Sequence, residues 1–156
     1  MTSSEFPHFV VRRQVSSDEP AVSDLRSQFL FEMANLRGGE DLVRTIGTAP
    51  SGEEGRVLIV SEIDGCIVGY CSVVFEANET GTVDQIYVEP GARRIGIGEA
   101  LLEAVVELAY SRGLRSLDAL ALPGAREVKN LIEGLASKDR LLVLKLSLAG
   151  FDSQRG

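Results

Sequence analysis

The stretch Val88-Glu89-Pro90-Gly91-Ala92-Arg93-Arg94-Ile95-Gly96-Ile97-Gly98 lies between a run of β-formers and an amphipathic helical pattern, and its reading decides the fold. A helix starting near Gly96 presents backbone N–H groups without intrahelical partners, together with about half a unit of positive charge. Glycines at 96 and 98 let an anion approach that backbone closely, and Arg93 and Arg94 add positive charge beside it. The segment suits a phosphate. Two other phosphate-binding patterns fit worse: a P-loop needs Gly-Lys followed by Ser or Thr, and the dinucleotide fingerprint needs Gly or Ala where Leu101 stands.

On the C-terminal side, Ile97, Leu101, Val105, Leu108 and Ala109 recur at spacings of three and four, with Glu99, Glu103 and Glu107 opposite, which predicts a helix over Gly96–Arg112. On the N-terminal side three strands are expected. Arg56–Glu62 and Cys66–Glu76 are joined by Ile63-Asp64-Gly65, whose Asp-Gly step is a hairpin signal, so the two should pair antiparallel. A turn at Ala77–Gly81 then leads into Thr82–Val88, completing a meander.

Further out, Phe9–Val15 reads as a first strand. A helical pattern through Val22, Leu25, Phe29, Leu30 and Met33 follows it and should end at Gly38-Gly39. Leu42, Val43 and Ile46 belong to a shorter helical or irregular piece, and Gly47–Gly55 reads as an exposed loop of the kind that borders substrate sites. Beyond the long helix, Ser116–Leu122, Arg126–Ala136 and Arg140–Leu148 read as strand, helix and strand, a right-handed crossover. The expected class is α/β (α+β): a mixed, mostly antiparallel sheet of about six to seven strands flanked by helices.

A chain of 156 residues with 44% apolar content is enough for one domain, spanning 1–156, and too short for two. Its 23 acidic against 16 basic residues, a net charge of −7, argue against a nucleic-acid partner, which needs a basic stripe, and favour a cationic small molecule. Cys66 and Cys71 match neither a CxxC motif nor a zinc ligand set, so free thiols and no metal are expected. Met1–Pro7 lacks a basic start followed by an apolar run, and no stretch of 18 apolar residues occurs, so the expected location is the cytoplasm, without a membrane partner.

Ile86-Tyr87-Val88-Glu89-Pro90 followed by Arg93-x-x-Gly96-x-Gly98 resembles the acetyl-CoA motif of the GCN5-related N-acetyltransferases (GNAT), whose pattern is Gln/Arg-x-x-Gly-x-Gly/Ala. The order of elements resembles that family over nearly the whole chain. The resemblance implies acetyl-CoA as co-substrate. Its pantetheine arm would lie between splayed strands, here Thr82–Val88 and Ser116–Leu122, with Ile86, Tyr87 and Val88 beside it. Its pyrophosphate would rest on Arg93, Arg94, Ile95, Gly96, Ile97, Gly98 and Glu99, and Lys129 and Asn130 would meet its sugar or phosphate end from the late helix.

Acetyl transfer from a thioester to an amine needs a neutral nucleophile, an N–H donor for the developing oxyanion and a proton for the departing thiolate. A backbone N–H on the strand ending at Val88 can supply the donor. In the family the thiolate's acid is often a Tyr in the helix after the fifth strand, but Ile132 stands at that place here, and the Gly-aromatic pair after that helix is replaced around Leu135-Ala136-Ser137. The remaining candidates are Asp84, Glu89 and Glu32 as bases and Tyr87 as a proton donor; His8 lies near the chain's start, and Cys71 sits among core-type residues. Three functions follow: transfer to a primary amine of a small molecule drawn into an acidic cleft, transfer to a protein N-terminus or lysine, and acyl-CoA sensing without catalysis. The apolar last strand could pair across a homodimer.

Overall fold

Residues 8–36, 39–40, 55–76, 80–114, 116–121, 130, 133 and 143–148 are described by the computed structural model. Six strands, β1 (Phe9–Arg13), β2 (Arg56–Ile63), β3 (Cys66–Phe75), β4 (Gly81–Val88), β5 (Ser116–Ala121) and β6 (Val143–Leu148), form one sheet in chain order. The first four pair antiparallel, while β4–β5 and β5–β6 are parallel. The β2–β3 hairpin closes through Asp64 and Gly65, both at positive φ (50° and 81°), the mirror-image turn whose twist matches that of its strands.

Helix α1 (Glu19–Ala34) covers one face of the sheet and α2 (Ile97–Ser111) the other. The opposition follows from strand alternation: Val57 and Ile59 of β2 pack with Ile97, Leu101 and Val105 of α2, whereas Leu58 and Val60 pack with Val22, Leu25 and Phe29 of α1. The α2 helix matches its predicted span to within one residue at each end, with Gly96 and Arg112 as the flanking cap positions.

Two expected boundaries move. The strand predicted to reach Val15 stops at Arg13, because Asp18 Oδ2 takes the Val15 N–H at 2.9 Å and turns the chain into α1. The helix predicted to end at Gly38-Gly39 leaves helical pairing at Asn35, whose side-chain amide donates to the Phe31 carbonyl at 2.9 Å and satisfies it from within the last turn. The short helical piece at Leu42–Ile46, loop residues 47–54 and the turn at 77–79 lie outside the described residues. So does the helix expected over Arg126–Ala136, apart from Asn130 and Glu133, both helical and exposed.

Candidate functional site

Strand β4 carries a bulge. Ser72 pairs with Gln85 and the next β3 residue, Val73, pairs with Val83, so Asp84 is an extra residue in β4. The bulge shifts the alternation by one: Val83 and Ile86 both face α2, while Asp84 and Gln85 both bond to α1-face residues. At the same place β4 loses its other neighbour. Among the described residues its parallel pairing with β5 comprises Thr82–Asp118 and Val83–Ala119, so from Asp84 to Val88 this edge of β4 has no paired strand among them. The Glu89 N–H donates back across the sheet to Val68 O at 2.9 Å. Alternation then turns the N–H and C=O groups of Val88 and Ile86 the opposite way, onto the unpaired edge.

That edge runs into the start of α2. Arg94 (φ 71°) and Gly96 (φ 93°) are left-handed, a conformation uncommon outside glycine, and the turn they make aims the first N–H groups of α2 outward. The first intrahelical bond goes from Ala100 N–H to Gly96 O at 3.0 Å, so the N–H groups of Ile97, Gly98 and Glu99 precede it, and among the described residues no side chain caps this end. A Cβ added at Gly96 would meet nothing within 4 Å. At Gly69 the reason differs: an added Cβ would stand 3.1 Å from Tyr87 O and 3.5 Å from Ile97 Cγ2, so the missing side chain leaves room for the helix start close to the sheet. Arg94 is exposed, and Ile95 packs partly against the core.

Arg93 turns its side chain along β4 toward α1. Its Nε donates to Val88 O at 2.7 Å, its Nη2 lies 3.1 Å from Glu32 Oε2, and its guanidinium stands 5.2 Å over the Tyr87 ring. Tyr87 also packs edge-on against Phe29, and its hydroxyl donates to Gln28 Oε1 at 3.4 Å. Burial, reinforced by the Glu32 carboxylate and opposed by Arg93, pushes the Tyr87 phenol up to about 12. It therefore keeps its proton at neutral pH.

Between the first half of α1 and the α1 face of the sheet lies a cavity of about 470 Å³. Its lining includes Arg13, Arg26 and Arg56, with Glu19 the one carboxylate among the described lining residues. The acidic cleft expected from the net charge is thus not what lines this cavity: a whole-chain sum says nothing about where charges sit, and carboxylates such as Glu107 face outward on α2. Arg56 donates to Ser72 Oγ and, at 2.8 Å, to Asp84 Oδ2, a pair whose side chains are only 8% and 10% exposed. The second Asp84 oxygen is buried without a hydrogen-bond partner among the described residues. Tyr70, fully buried, donates to Gln85 Oε1 at 2.8 Å. Gln85 therefore belongs both to the cavity wall and to the bulge beside the unpaired edge.

Sequence reasoning missed Arg56, Ser72 and Gln85. The available signal was period two: Arg56 shares its strand face with Leu58 and Val60, a charge aligned with a buried stripe. Of the expected site residues, Glu32, Tyr87 and Arg93 come together, whereas Asp84 sits behind Arg56. Asn130 is exposed on its helix, Ile132 lies outside the described residues, and His8 is exposed ahead of β1. Cys66 and Cys71 are both free thiols, and burial raises Cys71 well above the usual thiol range.

An unpaired strand edge leading into an uncapped helix start defines a site that could hold an extended, phosphate-bearing group. The chain belongs to the GNAT family of acetyltransferases, whose family model matches residues 22–128. It is 37% identical over 102 residues to a mycothiol acetyltransferase of Geodermatophilus obscurus, covering 64% of this chain and 32% of that one. It is 31% identical over 136 residues to a mycothiol acetyltransferase of Amycolatopsis mediterranei, covering 86% and 44%. The chain thus spans less than half the length of these curated relatives. An acetyltransferase of Salmonella typhimurium, solved with its cofactor acetyl-CoA, shares the fold with a TM-score of 0.65 at 18% identity, over 82% of this chain and 78% of that one.

Proposed function

We propose that this protein transfers an acetyl group from acetyl-CoA directly to the primary amine of a small molecule. The observation that carries the reading is the continuity between the unpaired edge of β4, with the backbone groups of Ile86 and Val88 turned outward, and the uncapped start of α2 at Gly96. Bound there, acetyl-CoA supplies an activated thioester. The N–H groups from Ile97 onward, at the positive end of α2, hold the pyrophosphate, and the missing side chain of Gly96 keeps the approach clear. Ile86 and Val88 hold the pantetheine arm much as an added strand is held. An outward N–H of β4 stabilises charge on the reacting carbonyl oxygen.

Tyr87, protonated at neutral pH, gives its proton to the departing sulfur and is reprotonated by solvent, which also takes the proton that the amine nitrogen loses as the amide forms. Asp84, whose Oδ2 accepts from Arg56 at 2.8 Å, holds that arginine in the cavity wall rather than meeting the amine itself. Two things support a small acceptor: the cavity beside Gln85 has the volume of a small-molecule site, and the relatives named above act on a small thiol compound according to their names.

The test is calorimetric titration of acetyl-CoA into the wild type, Gly96→Glu and Gly96→Asn. Asparagine tolerates the left-handed backbone and adds no charge, so binding retained by Gly96→Asn and lost by Gly96→Glu supports the phosphate site. Absence of binding by folded wild type refutes it. Binding with no thioester consumption across a panel of amines leaves an acyl-CoA sensor.

A further inference from the structure

We infer that Arg93 stands in for the cofactor, with Glu32 as the positioning residue that holds it there, so that Glu32 and the cofactor's phosphates compete for one guanidinium. The inference rests on the acetyl-CoA reading of this site. Two of the bonds that Arg93 makes have counterparts that the cofactor would provide. Its Nε occupies Val88 O at 2.7 Å, a carbonyl on the unpaired edge of β4 where a pantetheine amide N–H would donate. Its Nη2 is held by Glu32 at 3.1 Å, the position of an anion that a phosphate oxygen would replace. Arg93 stands four residues before Ile97, the first residue of α2, so the exchange calls for a rotation of its side chain toward that helix start. The two exchanges conserve hydrogen bonds: Val88 O trades one N–H for another, and Arg93 trades a carboxylate for a phosphate.

Magnitudes favour a latch that opens. The Arg93 and Glu32 side chains are 26% and 40% exposed, so solvent screens the pair and it holds Arg93 weakly. A pyrophosphate carries more charge than a carboxylate and also gains the α2 N–H groups, so it wins the competition. The latch further links the two substrates' elements. Glu32 lies on α1, the helix that forms one wall of the cavity, so Arg93 ties that helix to the cofactor loop until cofactor binds. Tyr87, under the guanidinium at 5.2 Å, is released at the same moment.

The experiment is acetyl-CoA titration of the wild type, Glu32→Gln, Glu32→Asp, Arg93→Met and the double variant Glu32→Gln/Arg93→Met. Glu32→Gln should lower the Kd about two- to fivefold, the range of an exposed ion pair, with the gain shrinking in high salt. Glu32→Asp, which keeps the carboxylate, should return most of the way to wild type. In the Arg93→Met background the Glu32 substitution should change nothing. A static structural pair would instead leave the Kd unchanged or raise it in Glu32→Gln, and either result overturns the latch. Glu32 is partly exposed, so its variants should fold, and thermal melting checks this. A wild type that binds acetyl-CoA without the Glu32 effect sinks the latch alone, whereas a wild type that does not bind sinks the cofactor reading with it.

Discussion

The two faces of the sheet share six strands and differ in almost everything else. Against α2, the contacts are apolar throughout: Ile97, Leu101, Val105 and Ala109 are essentially inaccessible and meet Val57, Ile59, Cys71, Val73 and Leu117. Against α1, Val22, Leu25 and Phe29 are buried on Val60, Tyr70 and Tyr87, with Leu30 and Met33 packed partly beside them. The rest of that face holds a cavity and the buried Arg56–Asp84 pair. A face packed for stability fills its volume and excludes charge, because each buried methylene is worth roughly 0.8 kcal/mol. The α1 face forgoes that gain where Arg56, Ser72, Asp84 and Gln85 cluster. That is the pattern expected where ligand chemistry, rather than burial, has shaped a surface.

Four substitutions would break or sharpen this contrast. Arg56→Ala should have the largest effect on stability, about 3–5 kcal/mol by denaturant unfolding, because it leaves the Asp84 carboxylate buried without its cation. Replacing both partners, as Arg56→Met with Asp84→Leu, should recover most of the loss while abolishing activity. If the single variant costs no more than a surface ion pair, the α1 face is not a buried polar site. Next comes Leu101→Ala on the opposite face, at about 2–5 kcal/mol with turnover per folded molecule unchanged. A loss of turnover there would mean that the α2 core reaches into function.

Asp18→Asn is smaller, about 1–3 kcal/mol, since it weakens a two-bond fork with Arg12 (2.7 and 2.9 Å) and the Val15 N–H bond. Hydrogen bonds from Arg12 and Val15 lower the Asp18 carboxyl from 3.8 to about 2, so its contribution is fully present above about pH 4 and is lost as pH falls toward 2. Unfolding at pH 7, 4 and 2.5 should therefore show wild type and variant converging in acid, and a constant gap would contradict the assignment. Tyr87→Phe should move stability least, by under about 1 kcal/mol, because the lost bond to Gln28 is long at 3.4 Å. Its turnover should fall on the order of a hundredfold if the phenol protonates the leaving group. Unchanged turnover assigns that proton to solvent.

Much of the architecture was legible before the fold was known. The α2 helix, the Asp64-Gly65 hairpin and the meander were readable because each rests on short-range rules: a 3.6-residue period, two positive φ angles, alternation between turns. The helix ends were less readable. Asn35 stops α1 ahead of the glycines because a side-chain amide competes for a carbonyl four residues back, a contest that periodicity does not register. The partners of Arg93 and Asp84 were not legible at all. Glu32 is 61 residues from Arg93 and Arg56 is 28 from Asp84.

By itself the sequence determined the order of the elements and a helix start at Gly96 open to an anion, since backbone propensity and glycine geometry act within a few residues. Only the tertiary structure decided what surrounds that start. One extra residue at Asp84 shifts the alternation of β4 between the two faces, and the pairing of β4 with β5 stops beside it. The cavity's arginines, the Asp84 ion pair and the hold of Glu32 on Arg93 all depend on which strands and helices meet across the sheet, and a pattern of neighbouring residues carries no record of that.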